Sequence, residues 1–307
     1  MKHLIVCQII LLIFLSNTTL AQSGRDANVH VFMPQTTSAF SVKYSCTLSA
    51  SEKEVYFAAS HQKWGGGNLK SSIYHTVKKK GKWSMPKVVS FSGKYDDSDP
   101  HLSKDGNSIY FISDRPSKGV TASADIWMAV KNKNGQWGDP IWLPYPINST
   151  EREYSPRTDK NGNLYFASDR PGGYGQGDLY ISYLEDKRLG TPINMGNTIN
   201  SATGEWNLEI NDSADILLFE ASQRAQNVSS YGDLYISFKH RNGWTAPQNI
   251  KELNTSGSDL YPFLTRDENS LYFTSSDSLK SPTTAIYHVK FKSILKNYKK
   301  TAVFPKK

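Results

Sequence analysis

A chain of 307 residues can bury about three quarters of the surface its unfolded form exposes, so it needs neither a disulfide framework nor a structural metal to keep a core. Two cysteines are too few for a disulfide scaffold, and past residue 15 no apolar run is long enough to cross a bilayer as a helix. The formal charge of +8 does not mark a nucleic-acid binder: Lys2 and the seven lysines between 290 and 307 supply all of it, leaving a near-neutral body.

Residues 1–21 read as a Sec-type signal peptide. Lys2 and His3 form a basic start, Leu4 to Leu15 an apolar run, and Thr19-Leu20-Ala21 a small-residue cut. No cysteine follows a lipobox-like pattern, so the mature chain is expected to be periplasmic or secreted. Cys7 leaves with the signal, and Cys46 is expected to be a small buried hydrophobe rather than a reactive thiol.

From there the chain repeats. An aromatic or aliphatic pair, Tyr56-Phe57, Tyr110-Phe111, Tyr165-Phe166, Leu218-Phe219 and Tyr272-Phe273, returns at spacings of 54, 55, 53 and 54 residues. Each period carries four strand-like segments. In the second they are Pro100 to Ser103, Ser108 to Ser113, Asp125 to Val130 and Pro140 to Leu143. The Asp105-Gly106 step makes a tight hairpin between the first two, and a turn at Asn134-Gly135 precedes the last.

Four antiparallel strands per repeat without helical periodicity describe an all-β propeller blade. The fifth repeat supplies three strands, and Val29 to Pro34 stands ahead of the first repeat without partners. The expected architecture is therefore a five-bladed β-propeller over 22–292 whose N-terminal strand completes the last blade, with six blades as the alternative. Residues 293–307 are expected to be a basic tail, either solvated or touching anionic lipid or polysaccharide.

Alignment of the repeats places an acid three residues before a shared position on the first strand: Asp97, Glu153, Glu205 and Asp259, with Lys43 in the first repeat. In a propeller these positions would surround one opening of the central channel, where carboxylates could hold a divalent cation or receive a cationic partner. The alternative is architectural, with each acid paired to a loop arginine such as Arg115 or Arg170. The loops Ser113-Asp114-Arg115-Pro116 and Ser168-Asp169-Arg170-Pro171 admit the same structural account. Gly172 to Gly177 leads into a strand rather than a helix, which argues against a phosphate cradle. The histidines show no paired ligand spacing.

The runs DGNSIYFISDRP at 105–116, NGNLYFASDRPGGYGQGDLYIS at 161–182 and YGDLYIS at 231–237 resemble the WD40-like PD40 repeat, found in TolB-like periplasmic propellers. The resemblance covers nearly all of the mature chain. It departs at Ala221-Ser222-Gln223-Arg224, where Ser-Asp-Arg-Pro is expected, and at the glycine-free turns near Asp212 and Asp267.

The resemblance implies a propeller fold and a non-catalytic binding or protein-interaction scaffold at the cell envelope, with no cofactor and no nucleic acid. Its partner would be an envelope protein or polysaccharide, and the chain is expected to be a monomer. Loops that break the repeat, with Trp64, Tyr174 and Tyr231, are the candidate interaction sites. The alternative is a sialidase-like, glycan-cleaving propeller. It would need an acid pair, and the aspartate-box pattern is matched only loosely at Ser103-Lys104-Asp105-Gly106.

Overall fold

The structure is a computed structural model that describes residues 28–33, 35–64, 69–117, 123–276, 278 and 280–304. The expected signal peptide, Gly65 to Gly67 beside Trp64, and residues 120–122 of the repeat-breaking loop Val120 to Ala124 lie outside the described residues.

Alternating strand-formers interrupted by Asx and glycine turns pair locally, and five antiparallel blades result, with a small two-stranded ribbon, Leu184–Glu185 on Arg188–Leu189, beside blade 3. Blade 1 is built from Val42–Leu48, Glu54–Ser60, Ser72–Lys79 and Lys87–Val88. Blade 2 uses Asp97–Leu102, Ser108–Ser113, Asp125–Val130 and Ile141–Trp142. Blade 3 uses Glu153–Thr158, Leu164–Ser168, Asp178–Ser182 and Ile193–Asn194, and blade 4 Gly204–Ile210, Ile216–Ser222, Asp233–His240 and Gln248–Asn249. Blade 5 contributes Asp259–Leu264, Ser270–Ser275 and Ala285–Lys290, and its outer strand is His30–Val31 from the other end of the chain. His30 pairs with His288 and Val31 with Tyr287, which sets the number of blades at five and excludes the six-bladed alternative.

The repeated pair has a physical reason. Successive residues of a strand point to opposite faces, so one member packs on the preceding blade and the other on the following one. Phe57 joins Phe263 and Tyr272 of blade 5, whereas Tyr56 joins Leu102, Phe111 and Trp127 of blade 2. Phe166 faces blade 2 and Tyr165 faces blade 4 in the same way. The core is thus five slabs between blades rather than one centre, and each buried ring contributes roughly 2 kcal/mol. Cys46 lies in the slab between blades 1 and 5, and burial pushes its thiol up to about 12.

The lysine-rich segment differs from a solvated end. Lys292–Thr301 is a helix, α1, with Ile294 and Leu295 buried in the slab between blades 4 and 5. Its Tyr298 hydroxyl donates to Glu252 Oε2, accepts from the Lys251 amide and lies 3.0 Å from the Asn249 carbonyl. An apolar pair embedded among lysines suffices to dock it, because the lysine stems reach water while the pair stays dry. Among the described residues no helix is long and apolar enough to cross a membrane.

Candidate functional site

The four repeated acids sit at the start of the innermost strands, and all four are fully buried. Asp97 Oδ1 accepts from Arg115 Nη2 at 2.6 Å, Glu153 Oε1 from Arg170 Nη2 at 3.1 Å, and Glu205 Oε1 from Arg224 Nη2 at 2.7 Å. Asp259 Oδ2 accepts from the Thr255 amide and hydroxyl. Lys43, in the same register, donates to the Phe40 carbonyl. Each arginine also reaches carbonyls of the preceding loop, Phe91 for Arg115 and Pro146 and Ile147 for Arg170. The acids therefore clamp loops to strands within their own blades, and none of them lines the axial cavity described below.

Arg224 performs this role from a sequence that departs from the loop motif. One extra residue separates it from the strand pair, and Gln223 absorbs it in the left-handed region at φ 55°. Asp114 accepts from the Asp96 amide, and Asp169 from Arg152 and from the Tyr154 hydroxyl. A second clamp repeats in Ile147-Asn148-Ser149, Ile199-Asn200-Ser201 and Leu253-Asn254-Thr255. There the asparagine Oδ1 accepts from the amides of Ile126, Leu179 and Leu234. Sequence reading passed over this motif, although its period was visible.

Around the ring axis a cavity of about 580 Å³ opens on the face carrying these loops. It is lined by the rings of Trp64, Tyr154, Trp206 and Tyr261 and by Arg152, Asp169, Asn207 and Glu220. Tyr44 backs the wall, 5.8 Å from the Trp64 ring and 5.1 Å from that of Tyr261. Trp206 is held by close backbone on both sides: a Cβ on Gly177 would fall 2.0 Å from its Nε1, and one on Gly204 2.3 Å from its ring. The glycine-rich loop is thus shaped by packing, since it bridges to blade 4 through the Gln176 amide on the Thr203 carbonyl. Of the candidate interaction residues, Trp64 is in the cavity wall. Tyr174 and Tyr231, 51% and 60% exposed, each stand one residue from close-packed glycine backbone, at Gly175 and Gly232.

Glu220 is the residue sequence reading missed. It follows Phe219 on the second strand of blade 4, where the other blades carry Ala58, Ile112, Ala167 and Thr274. That charged outlier in an otherwise uncharged column was the available signal. Its carboxylate accepts from Asn207 Nδ2 and packs against Gly232, whose missing Cβ leaves the space it occupies. Burial, reinforced by Asp99, Asp233 and Asp259, pushes its carboxyl up to about 8.

At the base of the cavity wall all five innermost strands bulge at one position. Ser45, Asp99, Ser155, Asn207 and Tyr261 all have φ between 45° and 52°, and each strand's register slips there. Ser45 Oγ, Asp99 Oδ1 and Ser155 Oγ are buried without a hydrogen-bond partner, and burial raises Asp99 to about 6. Deeper still, Arg157 Nε meets Glu209 Oε2 at 2.8 Å, and His101 Nε2 meets the Thr158 hydroxyl at 2.9 Å. At the far end Lys104 Nζ bonds Asp212 Oδ2 at 2.7 Å and Arg266 Nη2 bonds the Lys104 carbonyl at 2.5 Å, beside a void of about 40 Å³ and a second of about 170 Å³ between the turns of blades 1 and 5. The axis is therefore a cup, wide at the loop face and narrow at the turns. Among the described residues no three His, Cys, Asp or Glu side chains converge as a metal-binding group.

No family model matches the sequence, and no curated protein does. Solved structures with a similar course of chain include TolB from Acinetobacter baumannii, at 14% identity and a TM-score of 0.47 over 80% of this chain. The chain spans 54% of that protein's length. A protein of unknown function from Dyadobacter fermentans aligns at 15% identity and a TM-score of 0.47, covering 85% of this chain and 82% of its own. An endo-arabinase from Bacteroides thetaiotaomicron aligns at 14% identity and a TM-score of 0.49, covering 87% of this chain and 98% of its own. Likeness at this level carries no inference about activity, and the propeller assignment stands on the strand pairing of this chain.

Proposed function

We propose that this protein is a non-catalytic binding propeller of the cell envelope, exported by its first 21 residues, that receives its ligand in the axial cavity. The observation that supports this reading is the cup itself. Four aromatic rings and a few polar groups are mounted on clamped loops at the one wide opening of a rigid ring. Indole and phenol rings bind flat or cationic faces at small entropic cost, and the arginine and asparagine clamps leave little to reorganise on binding. The PD40-like repeats agree with such a role by resemblance alone.

A second reading, glycan cleavage, has one observation in its favour. Glu220 stays protonated to about pH 8 in the cavity wall, the condition a general acid needs. The other carboxylate of the wall, Asp169, is already held by Arg152 and Tyr154, which leaves it poorly placed to activate water or attack a sugar.

Two measurements separate the readings. The purified chain is incubated with arabinans, sialosides and peptides, with and without a chelator, and product is sought. In parallel, tryptophan fluorescence and calorimetry follow binding of the same compounds to the native chain and to Trp206→Ala. The binding reading expects unchanged compounds and a signal that Trp206→Ala weakens at least tenfold. Product that disappears in Glu220→Gln would replace it with the hydrolase.

A further inference from the structure

We propose that the axial cavity takes an organic cation, the ammonium or guanidinium end of its ligand, enclosed by Trp64, Tyr154, Trp206 and Tyr261 and neutralised by Glu220. This rests on the reading of the cavity as the binding site and names the chemistry that would fill it.

Charge accounting around the ring leads there. Asp97, Glu153, Glu205 and Glu209 are buried acids that each have an arginine within 3.1 Å. In the cavity wall, Arg152 is already paired with Asp169 at 3.1 Å. Asp125, Asp159, Asp178 and Asp233 are buried too and accept from neutral donors, but none of them lines the cavity. Glu220 does: it is 7% exposed, and its hydrogen bond comes from a neutral amide, Asn207. Among the described residues no basic side chain stands at ion-pair distance from it, and Arg152 is the only basic group in the wall. A buried carboxyl without a cation is costly, and its elevated pKa states that cost.

A second, independent observation lies at the base of that wall. Asp99 is 2% exposed, its Oδ2 takes the Ser155 amide, and its Oδ1 has no partner, nor do the hydroxyl oxygens of Ser45 and Ser155 in the same ring of bulges. The Asp99 charge adds to the rise that burial causes in Glu220, and both acids add to the rise that burial causes in Tyr261. Arg157 acts on Asp99 from deeper in the ring, where its Nε pairs with Glu209 and its Nη2 is buried without a hydrogen-bond partner. Glu220 thus lines a space ringed by aromatic groups, and the unpartnered oxygens of Ser45, Asp99 and Ser155 occupy the same bulge position as Asn207 and Tyr261 of its wall.

The walls select the kind of cation. A hard metal ion wants six to eight oxygens and usually several carboxylates, whereas aromatic faces attract ammonium and guanidinium groups. The cavity already shows that chemistry at its rim, where the Arg152 guanidinium lies 5.6 Å from the centre of the Tyr154 ring. Trp206, fixed by Gly177 and Gly204, offers a face that cannot swing away.

The test compares choline with its uncharged isostere 3,3-dimethylbutanol on the whole chain by calorimetry and tryptophan fluorescence. N-acetyl-lysine amide, N-acetyl-arginine amide and calcium chloride are added as separate arms. The expected result is a preference for choline over the isostere of at least about tenfold near pH 9 that shrinks towards pH 6 as Glu220 takes up its proton. The other groups facing Glu220 are Asp99, Asp233, Asp259, Tyr261 and Asn207, so Glu220→Gln, checked for an unchanged fold by circular dichroism, is needed to assign the pH dependence. That variant should bind both probes alike. The lysine and arginine arms tell a partner's side chain from a small quaternary ammonium. Equal binding of isostere and choline, no binding of any organic cation at millimolar concentration, or calcium binding that excludes choline would each overturn the inference. Neutral glycans or peptides that still quench Trp206 would then leave the binding reading standing, and their failure as well would remove both.

Discussion

Arg157 Nε lies 2.8 Å from Glu209 Oε2 and joins the innermost strands of blades 3 and 4 where both side chains are almost fully buried. Such a pair gives little net stability over an apolar substitute, but removing one half strands a charge in a dry site. Arg157→Met alone should lower unfolding stability by about 3 to 5 kcal/mol, and adding Glu209→Leu should recover most of that. Urea denaturation of the two variants measures it. A double variant no more stable than the single would show that the pair does not act as a unit.

The loop arginines should behave alike although their sequences do not. Arg115→Ala, Arg170→Ala and Arg224→Ala each leave a fully buried acid, so each should cost about 3 kcal/mol by thermal or urea unfolding. Lysine should not restore Arg224, because the guanidinium bonds Glu205 and the Ile199 carbonyl together and lies 5.3 Å from the Phe219 ring. A harmless Arg224→Ala would mean that Glu205 is balanced by something other than this clamp.

These residues also mark what could be read from sequence. The period, the blade composition and the N-terminal closure followed from strand chemistry, because every blade must bury two faces and leave no edge. Arg115 and Arg170 were legible as candidate partners of the acids because their motif repeats. Arg224 was hidden by a one-residue offset that only a left-handed Gln223 resolves. Glu220 and the ring of bulged residues were not legible in that way. Their meaning comes from five strands converging on an axis, a long-range property that no single strand encodes. The docked helix was missed because two apolar residues do not stand out among lysines.

The seam between the chain ends should be a weak point. Phe32 packs edge-on against Tyr272 at 4.8 Å and Trp83 at 5.7 Å, and its amide donates to the Ile286 carbonyl. Phe32→Ala should cost about 1 to 3 kcal/mol, and deletion through Met33 should lower the melting temperature further and expose the edge of Ala285–Lys290 to protease. A truncated chain that melts with the intact one would refute closure by this strand.

Glu220 should make stability depend on pH in the direction opposite to that of a salt-bridged acid. Its pKa is raised to about 8 from the ordinary 4.5 of an exposed glutamate, so between those limits the folded chain holds a proton that the unfolded chain has released. Its contribution is therefore fully present below the unfolded value and is lost as pH rises through the folded one. The melting temperature should fall from pH 5 to pH 8 in the native chain, and the fall should be shallower in Glu220→Gln. Asp99, raised to about 6, adds to the slope in the lower part of that range. Parallel curves for the two proteins would mean that Glu220 is ionised already at neutral pH and has a counter-charge.

Two glycines in one loop should respond differently to the same methyl group. Gly172 has φ +89° and nothing within 4 Å of an added Cβ, so Gly172→Ala carries only the backbone strain, about 1 to 2 kcal/mol. Gly177 has φ +50°, and its Cβ would meet the Trp206 indole at 2.0 Å. The ring is also pinned by Gly204 on its other side, so it can yield only by leaving the cavity wall or by pushing the strands of blades 3 and 4 apart. Gly177→Ala should therefore cost clearly more than Gly172→Ala in urea unfolding, and it should alter tryptophan emission and weaken whatever the cavity binds. Binding that survives Gly177→Ala intact would place the recognition surface away from Trp206, on the exposed loops that carry Tyr174 and Tyr231.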